Sequence, residues 1–349
     1  KAIETKADII GLSGLITPSL EEMIHIASEM KRQKLKIPLL IGGATTSKKH
    51  TAVKIDEKYS GSVFHVTDAS RSVSVVSQLL NPKLKEKLIY STEKQYDMLR
   101  ENFYSNLKNI NLIDLKEARK RRPVLNYKPI KPKIEGRKVI EQLDINKLKK
   151  YIDWSPFFHA WGIKGVYPKI LKDSKKGIEA TKLFNEANEL LDLIMNENLF
   201  TVKGVYGIYK AKSKNEKVNI LDSSYTLSFP RQLIDKGSNP NYCLADFIAD
   251  KQTDYIGMFA VTAGYKPDEL AKKYESENDD YNAIMIKIIA DRLAEAAAEW
   301  LHELVRKYEW GYAKYENFDI NQLNNEEYLG IRPAPGYPSC PDHNLKDII

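Results

Sequence analysis

One arginine in this chain sits in a stretch built to hold it still. Arg332 lies within Gly330-Ile331-Arg332-Pro333-Ala334-Pro335-Gly336-Tyr337-Pro338. The prolines fix φ, and Gly336 opens the backbone to close approach. A guanidinium so placed can grip a carboxylate with two parallel N–H bonds. A proline-rich surface turn with a salt-bridged arginine fits the same residue types equally well. Three further segments are rich in small and hydroxyl residues: Gly11-Leu12-Ser13-Gly14-Leu15-Ile16-Thr17-Pro18-Ser19, Gly42-Gly43-Ala44-Thr45-Thr46 and Val66-Thr67-Asp68-Ala69-Ser70. Ser13, Thr17 and Ser19 offer hydroxyls that donate or accept, although helix capping alone accounts for such residues. Adjacent Gly42 and Gly43 permit a flat object to lie against the main chain. Cys340-Pro341-Asp342-His343 suggests a metal, but one Cys and one His fall short of the ligand count zinc needs. His159, His302 and His343 read as structural.

The elements that must position these residues follow from periodicity. Asp8–Leu12, Ile37–Ile41 and Ser62–Val66 are short apolar runs suited to buried parallel strands. A helical stripe of Met23, Ile26, Ala27 and Met30 follows the first run, with Ser19 and Glu22 at capping-box spacing. A second helix starts near Ser47, and a third carries Val73, Val76 and Leu80. Strands alternating with helices predict a parallel, doubly wound sheet. All three small-residue loops then share the carboxyl edge of that sheet, where open α/β folds bind ligands. No GxGxxG is present, so a dinucleotide is disfavoured. Three βα units are few for this fold, so the expectation is a partial domain over 1–82 with its first strands missing.

Residues 83–135 read as a charged helical and Pro-rich linker, punctuated by Pro123, Pro129 and Pro132. From residue 136 the pattern changes to α+β. A short helix is expected over 144–151, an amphipathic helix over 179–195 and a long helix over 279–307. Asp279 and Asp280 suit the start of the last, and Arg306 and Lys307 its end. Strand-like runs cover 202–211, 217–221 and 255–262, grouped and not alternating, so a mainly antiparallel sheet with long helices is predicted.

Composition narrows the classes. The 349 residues are 42% hydrophobic and 29% charged, ordinary for globular domains. No apolar run approaches the roughly 20 residues that span a bilayer, and no signal peptide opens the chain. Two cysteines, far apart, argue against a disulfide framework and suit a cytoplasmic setting. Of the +7 net charge, much lies in 116–138, which holds ten Lys/Arg against two Glu. Without interleaved aromatics or a recognised motif, this stretch does not predict nucleic-acid binding. It reads as a solvated linker or as a docking surface for an acidic partner.

Ser13–Ser19, Ile41–Ser47 and Val66–Arg71 together resemble the cobalamin-binding domain of cobalamin-dependent methionine synthase, in the family's order. The resemblance implies that Ser13, Thr17 and Ala69 line the site of the cofactor's dimethylbenzimidazole tail. It implies that Ser19 joins a relay to a cobalt-ligating histidine. That histidine belongs to an Asp-x-His-x-x-Gly motif absent from this chain, since His25, His50 and His65 do not sit in one. Arg332–Pro338 with Cys340-Pro341 is similar to the activation domain of the same family. There the arginine and adjoining backbone, here Ala334, Gly336 and Tyr337, bind S-adenosylmethionine. Tyr151–Phe158 resembles the start of that domain and gives Asp153 the methionyl ammonium. One acid and one base suit a ligand that carries both charges. Asp291–Ala296 also resembles the family, leaving Glu295 either facing the ligand or in a surface pair.

The resemblance spans 1–349 and makes 136–349 an activation domain, expected to be truncated at its end. The implied activity is that of a methyltransferase of methionine biosynthesis, here confined to reactivation: reductive methylation of cob(II)alamin to methylcobalamin. The implied partners are the upstream modules and a flavodoxin-type reductase, and zinc belongs only to the homocysteine module. The rival expectations are a non-catalytic module that recruits an acidic electron donor, and a corrinoid carrier of another methyltransferase system.

Overall fold

The computed structural model describes residues 2–14, 18–43, 45–67, 69–108 and 111–349. The chain forms two compact units, Lys1–Asp114 with Leu233–Gly237, and Leu115–Gln232 with Ser238–Ile349.

The first unit holds a three-stranded parallel sheet of β1 (Ile10–Ser13), β2 (Leu39–Gly42) and β3 (Val63–His65), in that order. Its central strand explains the unbroken apolar run. Leu39 and Ile41 face one way, where Met23, Ala27 and Met30 of α1 (Pro18–Arg32) pack with Ile55 and Val63. Leu40 faces the other way and meets Phe64, Val66 and Leu79 of α3 (Ala69–Leu80). Between β2 and β3 lies α2 (Lys48–His50), which continues as a π-turn, Thr51–Ile55. Ser47 caps α2 by accepting from the His50 N–H. Ser19 falls inside the first turn of α1 and is therefore not its cap. The first unit also takes in α4 (Pro82–Lys108). Leu88 and Ile89 join the second apolar cluster, the buried Tyr96 phenol accepts from the His65 N–H, and Arg100 pairs with Asp56 at 2.6 Å. The start of the segment expected to be a linker is thus packed against the parallel sheet.

The second unit begins with α5 (Leu115–Lys120). The extended chain that follows is tied down. Tyr127 donates to the Phe247 carbonyl at 3.0 Å and to the buried Asp254, and the Trp310 indole donates to the Ile130 carbonyl at 2.7 Å. A five-stranded antiparallel sheet is built on β5 (Lys203–Lys214), which pairs with β4 (Gly136–Ile140), β6 (Lys217–Ile220) and β8 (Asp254–Thr262), while β7 (Thr226–Ser228) extends β6. Helices α6 (Ile145–Leu148), α7 (Ser155–Ala160), α8 (Gly177–Asn196) and α9 (Lys266–Ser276) surround α10 (Asp280–Leu304). Asp279 caps α10 by accepting from the Asn282 N–H, and the helix ends in a π-turn, Val305–Glu309. Leu293, Ala296 and Ala297 of α10 share one core with Phe157, Phe158, Leu191 and Ile194. Truncating fully buried Leu293 to alanine would cost about 2–5 kcal/mol. The rigid rod of the unit is therefore α10, and α11 (Ile320–Asn324) precedes the Arg332 loop. No helix among the described residues is long and apolar enough to cross a membrane.

Candidate functional site

The polar centre of the second unit lies along α10. Leu293, Ala296, Glu299 and His302 follow one another at three-residue steps and are all buried. An acid and a histidine on a core-facing stripe require partners. Glu299 accepts from Arg332 Nη2 through Oε2 at 2.7 Å. Burial raises the Glu299 pKa, and Arg332 and Arg306 oppose that rise. His302 is driven down to about 2, first by burial and then by Arg306 and Arg332, so it is a neutral imidazole. Tyr328 fills the space between these side chains. Its ring stands edge-on to His302 at 4.8 Å, and the Arg306 guanidinium lies over it at 4.3 Å. Arg306 itself is closed off by Glu316, to which both Nε and Nη2 donate. Glu299 Oε1, His302 Nδ1 and Arg306 Nη1 are buried without a protein partner, so the centre keeps polar capacity that its own side chains do not satisfy.

Arg332 reaches this centre from a shaped loop. Gly330 has φ 102°, Gly336 φ 98°, and a two-residue closure joins Gly336 N–H to the Cys340 carbonyl at 2.8 Å and Cys340 N–H to the Tyr337 carbonyl at 2.8 Å. The Ala334 carbonyl accepts from the Tyr337 N–H at 3.3 Å. A Cβ on Gly336 would lie 2.3 Å from the His343 ring, so this glycine makes room for the imidazole. The Tyr337 side chain is largely exposed, and Cys340 is buried.

Asp153 stands at the entry to α7, where its Oδ1 accepts from the Ser155 N–H at 2.9 Å. Two residues earlier, Tyr151 donates to Glu303 at 2.9 Å. Glu299 and Glu303 are one turn apart on α10, so the Asp153 segment and the Arg332 loop both dock on the same side of that helix. Glu295, one turn before Glu299, has a side chain that is 63% exposed and paired with Arg292. The residue that receives Arg332 is Glu299, which the sequence reading did not single out. Its signal was position, since an acid continuing a buried stripe has to be partnered.

In the first unit, the loops at the carboxyl edge pack on one another. The Gly14 N–H donates to the Gly42 carbonyl at 2.9 Å, and Thr45 Oγ1 donates to the Gly14 carbonyl at 3.1 Å. Gly43 has φ 103°, and a Cβ there would fall 2.3 Å from the Gly14 carbonyl oxygen. A Cβ on Gly42 would meet Val66 at 3.1 Å. Gly43 is required by the chain's own close approach, and Gly42 sits tight against Val66, so neither gives separate evidence of a flat ligand. Ser13 ends β1 with its side chain exposed, a position that fits a polar contact to a cofactor tail. Thr17 and the side chain of Ala69 lie outside the described residues. Among the described residues no group of three or more His, Cys, Asp or Glu could hold a metal ion.

The basic stretch is partly neutralised by carboxylates of its own unit. At least six of its ten Lys/Arg form ion pairs: Arg119 with Glu216, Lys120 and Arg121 with Glu117, Arg122 with Asp250, Lys131 with Glu135 and Lys138 with Glu309. That pairing leaves less charge for a partner than the composition suggests.

A parallel α/β unit followed by an antiparallel α+β unit, with a guanidinium loop docked on its central helix, defines a two-unit protein of mixed architecture. Residues 144–349 match the family described as vitamin B12-dependent methionine synthase, activation domain. The structure is also similar to a crystal structure of the MetH reactivation domain bound to AdoHcy, with 43% sequence identity and a TM-score of 0.66, over 68% of this chain and 76% of that one. The chain belongs to the activation-domain family of vitamin B12-dependent methionine synthase.

Proposed function

We propose that the second unit binds S-adenosylmethionine and supports reductive methylation of cob(II)alamin, restoring methionine synthase in the cytoplasm. The observation that carries this reading is Arg332. It is anchored on one edge by Glu299, remains 26% exposed in its side chain, and sits in a loop of fixed backbone. The ligand's carboxylate meets Arg332, and its ammonium meets Asp153. Backbone at Ala334 and Gly336, with the exposed Tyr337, borders the same loop, and Glu295 lies at the margin. The similar MetH structure, bound to AdoHcy, supports the ligand class.

Cobalamin, when bound, supplies the cobalt chemistry. On this reading Ser13, Thr17 and Ala69 would line the site of its tail, Ser19 would join the relay to the cobalt-ligating histidine, and Gly42 and Gly43 would shape the adjoining loops. The homocysteine and folate steps belong to upstream modules, and the electron comes from a flavodoxin-type donor. Docking of that donor accompanies ligand binding and does not replace it, because six of the ten bases in the basic stretch are already held in ion pairs.

Calorimetry tests the reading. The chain is expected to bind S-adenosylmethionine, and Arg332→Ala to weaken it about tenfold to a hundredfold, the loss typical of a charge-assisted hydrogen bond. Asp153→Asn is expected to weaken it less. A wild-type chain that shows no heat with S-adenosylmethionine or AdoHcy rules the reading out.

A further inference from the structure

We propose that Glu299 is the positioning residue of this site: it orients the Arg332 guanidinium toward the ligand's carboxylate without touching the ligand. The proposal rests on the reading that Arg332 holds that carboxylate. The loop fixes the Arg332 backbone through Pro333 and Gly330, but it does not fix the side chain. A free arginine side chain loses substantial rotamer entropy when it is ordered. Glu299 removes that freedom beforehand. It stands on the most deeply packed helix of the unit, where its neighbours Ala296, Ala297 and Leu301 are 0–1% exposed and hold it in place. Its Oε2 takes a single N–H, that of Nη2, at 2.7 Å. Anchoring one nitrogen narrows the directions open to the remaining donors of the planar guanidinium. The Arg332 side chain stays 26% exposed, so it is not wholly enclosed by protein. Tyr328, packed against His302 and Arg306, is a further hydrogen-bond partner of Arg332. An arginine prepared in this way binds a carboxylate without the ordering cost at the moment of binding.

The role predicts a selective loss. AdoHcy carries the amino-acid carboxylate, and 5′-methylthioadenosine has the same adenosyl thioether without it. Calorimetry of both ligands is run on the whole chain and on Glu299→Ala, Glu299→Gln, Arg332→Ala and Glu299→Ala/Arg332→Ala. Glu299→Ala should weaken AdoHcy roughly tenfold, the scale seen when an orienting outer partner is removed, and leave 5′-methylthioadenosine unchanged. Glu299→Gln, which keeps an acceptor oxygen, should lose less. In the Arg332→Ala background Glu299→Ala should add no further loss, because the two residues act as one unit. Equal weakening of both ligands, or full AdoHcy affinity in Glu299→Ala, overturns the proposal. Should Glu299→Ala not fold, Glu299→Gln carries the same comparison. A failure of the underlying reading looks different: wild type would not bind AdoHcy, or Arg332→Ala would bind it as tightly as wild type.

Discussion

Two arginine–glutamate pairs lie along the C-terminal half of α10, and they are built for different purposes. At the helix end, Arg306 and Glu316 are 0% and 5% exposed in their side chains, and the guanidinium donates through both Nε and Nη2. Two turns earlier, Glu299 and Arg332 are 11% and 26% exposed and share one bond. The first pair is closed, and the second is left half open. Both tie the loop chemistry beyond residue 310 to the same rod. A closed pair adds specificity to the packing, and its one nitrogen without a protein partner, Arg306 Nη1, is buried. A half-open pair gives up some local stability and keeps donors that can be used. In this unit burial, more than residue type, separates the structural Arg306 from Arg332, the arginine proposed to meet a ligand.

The largest expected effect breaks the closed pair. Arg306→Ala leaves Glu316 buried with its charge uncompensated, which typically costs 3–5 kcal/mol. Denaturant unfolding should record that loss in the second unit. A change below about 1 kcal/mol would mean that water reaches Glu316, and that the contrast between the pairs is smaller than the burial implies.

This contrast was only partly legible in the residues. The loop around Arg332 announced itself through its prolines and glycines, and α10 through its Asp279 cap and apolar stripe. Glu316 and Glu299 did not, because each meets its arginine across a chain reversal that periodicity cannot see. The parallel sheet was legible because Leu39, Leu40 and Ile41 are apolar on both faces. Strand β4 was not. Its alternating exposure places Arg137 and Val139 outward, and these residues, just past the linker expected over 83–135, showed no apolar run to mark a strand. Likewise Gly42 and Gly43 suggested room for a ligand, whereas the space beside Gly43 is taken by the Gly14 backbone. Glycines report that something comes close, but not whether it is a ligand or the chain itself.

His302 sharpens the comparison through pH. Its folded pKa is depressed from 6.5 to about 2, so the unfolded chain binds the proton first. Stability from the neutral imidazole is complete above pH 6.5 and is lost as pH falls toward about 2. The slope is about 1.4 kcal/mol per pH unit once the unfolded histidine is protonated. By pH 5 the loss from this residue should reach about 2 kcal/mol. His302→Gln should flatten the stability curve between pH 6.5 and 5, and the difference curve isolates it from His50 and His65, whose pKa values burial also lowers. Parallel curves for wild type and variant would show that His302 is not held neutral.

The half-open pair should give a smaller stability effect. Arg332→Ala exposes Glu299 to approaching water, so the expected cost is about 1–2 kcal/mol, below that of Arg306→Ala. Its ligand affinity should fall while the fold persists, as judged by unchanged far-ultraviolet circular dichroism and a Tm shift of a few degrees. A stability loss equal to that of Arg306→Ala would place Arg332 with the structural pairs.

The smallest effect is expected one turn before Glu299. Glu295 and Arg292 form an i,i+3 pair in which the acid is 63% exposed. Such pairs contribute within about 0.5 kcal/mol, since solvent screens the charge and both side chains give up freedom to meet. Glu295→Ala should therefore leave unfolding unchanged within error. Its effect on ligand affinity then decides a matter of reach. A tenfold loss of AdoHcy affinity without loss of stability would bring Glu295 into the binding surface by a side-chain swing away from Arg292. No loss would restrict the acid side of the site to Asp153, with Glu299 acting through Arg332 alone.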